Sequence, residues 1–267
     1  ILGYLFSLLD WQRISELEPK VYFALLGAAL MVVVCLFVGG VRWAHLMKIQ
    51  TQRRFSIITA FRGYLLGGFF NVFLPGAIGG DLFRIKFACD KTEISAKLSG
   101  ALVITERFFG LASVGLIFAL GLSFTIETFV PAFGDEYFPI ACVLAVFGLG
   151  AVKFWIARKL SISYLNYLYL LLVTMVAQLG DIYISYLLAI QLGLEVSFVE
   201  FMVVIPLVFI ATVLPISLGG LGVREGTLAG LLAVVGVPLS DGVLLAFLIY
   251  VSKTLAAGFG AYEAMIF

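Results

Sequence analysis

The chain has 267 residues, of which 63% are hydrophobic and only 12% charged, with a formal net charge of +1. A soluble domain carries about 25% charged and 45–50% apolar residues, so this composition excludes an ordinary water-soluble fold, and the long apolar runs point to a polytopic membrane protein. No basic block rises above paired Lys or Arg, which argues against a nucleic-acid partner, and three separated cysteines with a single histidine, His45, suggest neither a disulfide framework nor a metal site.

Taken in chain order, Ile1 to Leu9 reads as the tail of a helix whose start is missing, giving a first, partial span. Val21 to Val41, Leu98 to Phe124, Tyr137 to Ile156 and Asp241 to Tyr262 are each long enough for a hydrocarbon core of about 30 Å. Ile162 to Leu192 is another span, interrupted by Gln178 and Asp181. Two regions differ. Phe55 to Leu74 runs into PGAIGGD and then a short apolar stretch; Phe198 to Leu214 runs into PISLGG and then Gly226 to Val237.

These two regions contain an internal repeat. Leu74-Pro75-Gly76-Ala77-Ile78-Gly79-Gly80-Asp81-Leu82-Phe83-Arg84 matches Leu214-Pro215-Ile216-Ser217-Leu218-Gly219-Gly220-Leu221-Gly222-Val223-Arg224 at an offset of 140. Proline removes a backbone donor and glycine pairs permit close approach, so each motif breaks a helix. Unwound backbone at membrane depth is tolerated only against protein or a wet cavity, and the run that follows is too short to cross, so each region is expected to form a re-entrant hairpin. With hairpins, ten Lys/Arg (Arg42, Lys48, Arg53, Arg54, Lys86, Lys91, Lys97, Lys153, Arg158 and Lys159) fall on one side together with the C-terminus, and two, Arg13 and Lys20, on the other. The positive-inside rule makes the basic side cytoplasmic. Three crossings between the motifs make the hairpins open from opposite faces, an inverted repeat of the kind found in secondary transporters.

The expected architecture is therefore an all-α polytopic integral membrane protein: one transmembrane domain over 1–267 with about six membrane-crossing helices, the first partial, and two re-entrant hairpins. The repeat halves are approximately 21–123 and 162–262.

Nine ionisable residues remain at apparent membrane depth: Arg62, Asp81, Arg84, Glu106, Arg107, Asp181, Arg224, Glu225 and Lys253. A charge there costs about 2.5–3.5 kcal/mol on insertion scales, so these are expected to pair inside the bundle, for example Glu106 with Arg84 and Glu225 with Arg62. Arg84 and Arg224 sit about one helical turn past each Gly-Gly, where a guanidinium fork suits phosphate and a helix start supplies free N–H groups. Asn71 and Ser217 are polar neighbours of that expected midplane site. The acids Asp81, Glu106, Asp181 and Glu225 would balance the arginines or carry a coupling proton. No nucleophile triad, Walker loop, dinucleotide fingerprint or zinc signature is present, so no catalytic residue, metal or cofactor is expected.

The runs NVFLPGAIGGDLFR at Asn71 to Arg84, the Glu106-Arg107 pair and PISLGGLGVREG at Pro215 to Gly226 resemble the transmembrane domain of the lysylphosphatidylglycerol synthase family, whose members are flippase-like membrane proteins. The matching positions are Asn71, Pro75, Gly79, Gly80, Asp81, Arg84, Glu106, Arg107, Pro215, Gly219, Gly220, Arg224 and Glu225. The resemblance implies movement of an anionic or phosphate-bearing lipid between leaflets of the plasma or inner membrane, with the lipid as substrate and a lipid-modifying enzyme as a candidate partner. Family members that synthesise lysyl-lipid add a soluble domain absent from these residues, so no enzyme activity is expected here. The alternatives are a proton-coupled carrier of a small anion and a non-catalytic subunit that presents lipid to a synthase or glycosyltransferase.

Overall fold

A computed structural model describes residues 14–15, 17–52, 55–73, 79–133, 162–213 and 222–267. Nine helices occupy them: α1 (Pro19–Thr51), α2 (Ile57–Phe73), α3 (Gly79–Thr92), α4 (Ala96–Phe124), α5 (Ile126–Phe133), α6 (Tyr164–Gln191), α7 (Phe198–Val213), α8 (Val223–Val234) and α9 (Leu239–Ile266). No strand occurs among the described residues. The expected spans at Ile1 to Leu9 and Tyr137 to Ile156 lie outside them, as do most of both Pro-Gly motifs, including Ser217, Gly219 and Gly220.

Helices α1, α4, α6 and α9 are long and apolar enough to cross a membrane. At 1.5 Å per residue, even the 28-residue α6 and α9 reach about 42 Å. By the same measure the 17-residue α2 and 16-residue α7 reach about 25 Å, short of the hydrocarbon core, and the 14-residue α3 and 12-residue α8 are shorter still. The surface is apolar where a soluble protein is polar: Phe23 and Leu165 are 74% and 77% exposed, whereas Asp81, Arg84, Glu106, Thr174 and Ser252 are buried. Apolar side chains outside and charged ones inside are what lipid, rather than water, selects. The chain is an all-α polytopic membrane protein.

Two boundaries correct the sequence reading. Helix α1 does not stop at Val41. It runs ten residues further to Thr51 and ends at Gln52, which takes a left-handed φ of 54° and donates its N–H to Lys48 O. The stretch from Arg42 onward contains no glycine, proline or turn residue to end the helix, and the arginine that looked like a loop charge is held inside the bundle. Helix α6 is likewise continuous through Gln178 and Asp181, whose side chains face a cavity without breaking the backbone ladder.

Helix bounds recur at the motif spacing. Shifted by 140, α2 falls within about one residue of α7, and α1, α3 and α4 fall within about five residues of α6, α8 and α9. The packing follows the same exchange: α2 lies on α9 as α7 lies on α4, α1 touches α9 as α6 touches α4, and each short pair, α2 with α3 and α7 with α8, packs together. The contact of α1 with α6 maps onto itself and forms the centre. Two buried clusters form the core: one around Trp43, Leu46, Leu66, Phe87, Leu102 and Phe109, joined by Leu170 of α6, and a larger one around Leu188, Phe201, Val204, Leu232, Leu245 and Ile249 that also takes in Val21, Val32, Ile117 and Phe129 of α1, α4 and α5.

Glycine sets the approach of α2 to α1. A Cβ built on Gly40 would lie 2.9 Å from the backbone of Phe61, which no rotamer change can relieve, whereas one on Gly27 of the same helix meets nothing within 4 Å. Gly40→Ala is therefore expected to destabilise the protein by about 1–3 kcal/mol through overpacking while Gly27→Ala is neutral, as measured by melting in detergent.

Candidate functional site

The interior charges form two connected groups. The first is a buried network centred on Glu106 of α4. Arg84 of α3 donates Nη2 to Glu106 Oε2. On the other carboxylate oxygen, Glu106 Oε1 accepts Arg42 Nε of α1 at 3.1 Å and the Tyr64 hydroxyl of α2 at 2.8 Å. Arg42 also donates Nη1 to Thr174 Oγ1 of α6 at 2.9 Å and Nη2 to the Tyr64 oxygen at 2.9 Å. The Arg84 guanidinium lies over the Tyr64 ring at 3.9 Å and the Trp43 ring at 4.6 Å. Cation–π contact gives a desolvated arginine a second favourable face.

One acid links this network to the second group. Asp81, in the first turn of α3, approaches Arg84 Nη1 at 3.5 Å and accepts Arg107 Nε of α4 at 2.7 Å. Asn71 closes the adjoining hairpin, its side-chain oxygen accepting the N–H of Gly80 at 2.9 Å. Gly79 and Gly80 are buried where α3 begins beside α2, and a Cβ on Gly80 would run into the Gly67 carbonyl and the Asn71 side chain of α2, so the bare Gly80 permits the close packing there.

Arg107 then opens onto a cavity of about 390 Å³. Its wall combines Asn71 and Arg107 from the first half with Gln178, Asp181, Thr212, Arg224 and Lys253 from the second, over an apolar floor of Ile205, Val208, Phe209, Ala246 and Ile249. Pockets of about 300–1,000 Å³ with a few convergent polar groups are the usual form of a small-ligand site. Its depth follows from helix position. Arg107, Asp181 and Lys253 each lie ten residues or more from either end of α4, α6 and α9, about 15 Å at 1.5 Å per residue. All three lie well inside helices long enough to cross a membrane.

Each cation on the wall has a partner, and these pairs are more exposed than those of the Glu106 network. Arg224 Nη2 donates to Glu225 Oε1 at 2.7 Å, and Glu225 Oε2 accepts the Gly222 N–H at 2.6 Å. Lys253 and Asp181 stand 3.4 Å apart, with side chains 38% and 36% exposed. Arg224 also faces the Tyr250 ring at 5.3 Å. The wall itself presents three cations and one acid, Asp181, while Asp81 and Glu225 balance Arg107 and Arg224 from beside it, so the groups offered to a ligand are basic side chains that already have resting partners.

Of the residues marked in the sequence, Asn71, Arg107, Asp181 and Arg224 meet at the cavity. Glu225 stands behind Arg224. Arg84 and Glu106 pair as expected but lie outside the wall, joined to it through Asp81. The expected pairing of Glu225 with Arg62 does not form: Arg62 Nε donates to both carboxylate oxygens of Glu263 at 2.9 Å, near the end of α9. Arg42, Tyr64, Trp43 and Thr174 were not marked. A sequence signal existed for Arg42 alone, in the unbroken helix-forming stretch that contains it. His45 bonds Asn166 Oδ1 at 3.0 Å and lies against Tyr169.

Removing the shared acid leaves Arg42 without a carboxylate and the buried Arg84 with only its 3.5 Å contact to Asp81. Glu106→Gln should cost about 3–5 kcal/mol, the scale for breaking a buried pair, whereas Thr174→Val should cost about 1 kcal/mol. Detergent melting curves of the two variants check the ranking.

No curated protein and no solved structure matches the chain. A family model described as the lysylphosphatidylglycerol synthase TM region matches residues 1–258, nearly the whole length. The chain belongs to the lysylphosphatidylglycerol synthase transmembrane-region family, which places it among membrane proteins of lipid handling.

Proposed function

We propose that the protein moves an anionic, phosphate-bearing lipid between leaflets, with the headgroup in the midplane cavity and the chains left in the bilayer. The observation that carries this reading is the cavity wall, where Arg107, Arg224 and Lys253 stand at membrane depth around space for a headgroup. Sequestered charge costs a few kcal/mol per residue in lipid and is kept where a substrate uses it. Family membership supports a lipid rather than a soluble solute.

In this reading α2–α3 and α7–α8 are re-entrant hairpins of an inverted repeat, too short to cross and entering from opposite faces. The C-terminus lies in the cytoplasm of a plasma or inner membrane. Arg42 no longer counts as a loop charge, which leaves nine Lys/Arg against two on the sequence tally, so the positive-inside bias survives the correction. The protein moves lipid without making it, and a partner enzyme would supply or consume the lipid.

Arg224→Ala and Arg107→Ala are each expected to slow leaflet exchange of a fluorescent phosphatidylglycerol in proteoliposomes by about tenfold or more, the scale of one lost charge-assisted contact. Unchanged exchange in both variants would remove the cavity from the mechanism. Solute uptake without lipid exchange would select the small-anion carrier instead.

A further inference from the structure

Most of the cavity wall comes from α6, α7, α8 and α9, with Asn71 of α2 and Arg107 of α4 completing it, and the exchange that relates the two halves gives those four helices counterparts in α1, α2, α3 and α4. At the offset of 140, the wall residues Ile205, Arg224, Leu228, Ala246 and Ile249 correspond to Leu65, Arg84, Ala88, Glu106 and Phe109. Where Ala246 leaves only a methyl group on the cavity wall, its counterpart Glu106 extends a buried carboxylate to Arg84, so a side chain fills in the first half the place beside the arginine that lies on the cavity in the second.

The filling is specific. Opposite the motif arginine Arg84, the next long helix supplies the Glu106 carboxylate, which also collects Arg42 and Tyr64. Opposite the motif arginine Arg224, that acid is missing. The helix bounds leave the register between α4 and α9 uncertain by three residues, yet every position from 246 to 249 is apolar: Ala246, Phe247, Leu248 and Ile249. The counterpart of Tyr64 is Val204, and that of Arg42 is Ile182. Arg224 is left with an acid from its own helix, Glu225, rather than one from a facing helix.

We propose that a phosphate oxyanion bound in the cavity takes the place that Glu106 occupies in the first half, seated against Arg224 beside Ala246. Glu106 is thus a built-in analogue of the ligand. A carboxylate shared by Arg84, Arg42 and Tyr64 in one half stands for a phosphate shared by Arg224, Arg107 and Lys253 in the other. The inference rests on reading the cavity as the headgroup site, and it adds where the phosphate sits and why only one half binds.

The test is to return the acid. Ala246→Glu and Ile249→Glu place an internal carboxylate at the proposed seat, and Ala246→Gln and Ile249→Gln add nearly the same bulk without the charge. Inorganic phosphate and short-chain phosphatidylglycerol are the probes, read as the rise in melting temperature of the detergent-solubilised protein. Wild type should respond, and the Gln variants, which add bulk at the seat without a competing charge, should respond more weakly than wild type but measurably. At one position or both, the Glu variant should lose the response, melt higher than its Gln partner without ligand, and exchange lipid about tenfold more slowly than that partner, as for one lost charge-assisted contact. A response to the lipid probe alone assigns the seat to a headgroup within its lipid; a response to both assigns it to the phosphate itself. Glu and Gln variants that behave alike at both positions overturn the proposal, as does a wild type that responds to neither probe. If wild type exchanges no phosphate lipid, the translocation reading falls, and the Glu-against-Gln difference in melting with inorganic phosphate still decides the seat.

Discussion

A single carboxylate organises the first half of the molecule. Glu106 receives Arg84 from α3, Arg42 from α1 and Tyr64 from α2, and Arg42 carries the network to Thr174 on α6. Five helices are thereby tied through one buried anion. In lipid the hydrophobic effect does not draw helices together, because the surroundings are as apolar as the side chains, so packing and interhelical hydrogen bonds must hold the bundle. An ion cluster with each oxygen of its acid engaged is the arrangement in which buried charge stops being a liability.

The consequence is an asymmetry laid over a duplicated framework. Packing of α1 to α4 is echoed by α6 to α9, but only the first set has the acid, the tyrosine and the second arginine that fill the space between its helices. The second set keeps Arg224 and surrounds it with Val208, Ala246 and Ile249, leaving about 390 Å³. One half is stapled and the other is hollow. Asp81 joins them, reaching back to Arg84 and forward to Arg107 on the cavity wall, so the hollow half is positioned by the stapled one.

Much of this framework could be read in the residues before any coordinates. Apolar run length located α4, α6 and α9 to within a few residues, and the repeated Leu-Pro and Gly-Gly located the ends of the two short helix pairs. What failed was the rule that charge ends a span. It closed α1 at Val41 and the last helix at Tyr262, and so hid both Arg42 and Glu263. Both residues then proved to be partners of charges already counted, Glu106 and Arg62, which is why the pairing of Arg62 with Glu225 was wrong. Tyr64, Trp43 and Thr174 carry no local signal, because an aromatic or hydroxyl side chain in an apolar run looks the same whether it faces lipid or an arginine. Only the packing of α1, α2 and α6 decides that.

In the proposed function, the greater exposure of the second charge group has a use that the burial of the first would forbid. A bare arginine at the midplane costs a few kcal/mol, so each wall cation needs a resting partner, and Glu225, Asp181 and Asp81 supply them. A site that passes its ligand onward must also release it, so binding has to be an exchange of partners rather than a net gain of many contacts. Arg224 can turn from Glu225 on its own helix to an incoming anion without leaving a facing helix unpaired. Arg84 has no such freedom, since its departure would leave Glu106 Oε2 without its donor and release α3 from the network. The repeated arginine therefore has opposite constraints in the two halves, and the difference is set by the one acid that α4 has and α9 lacks.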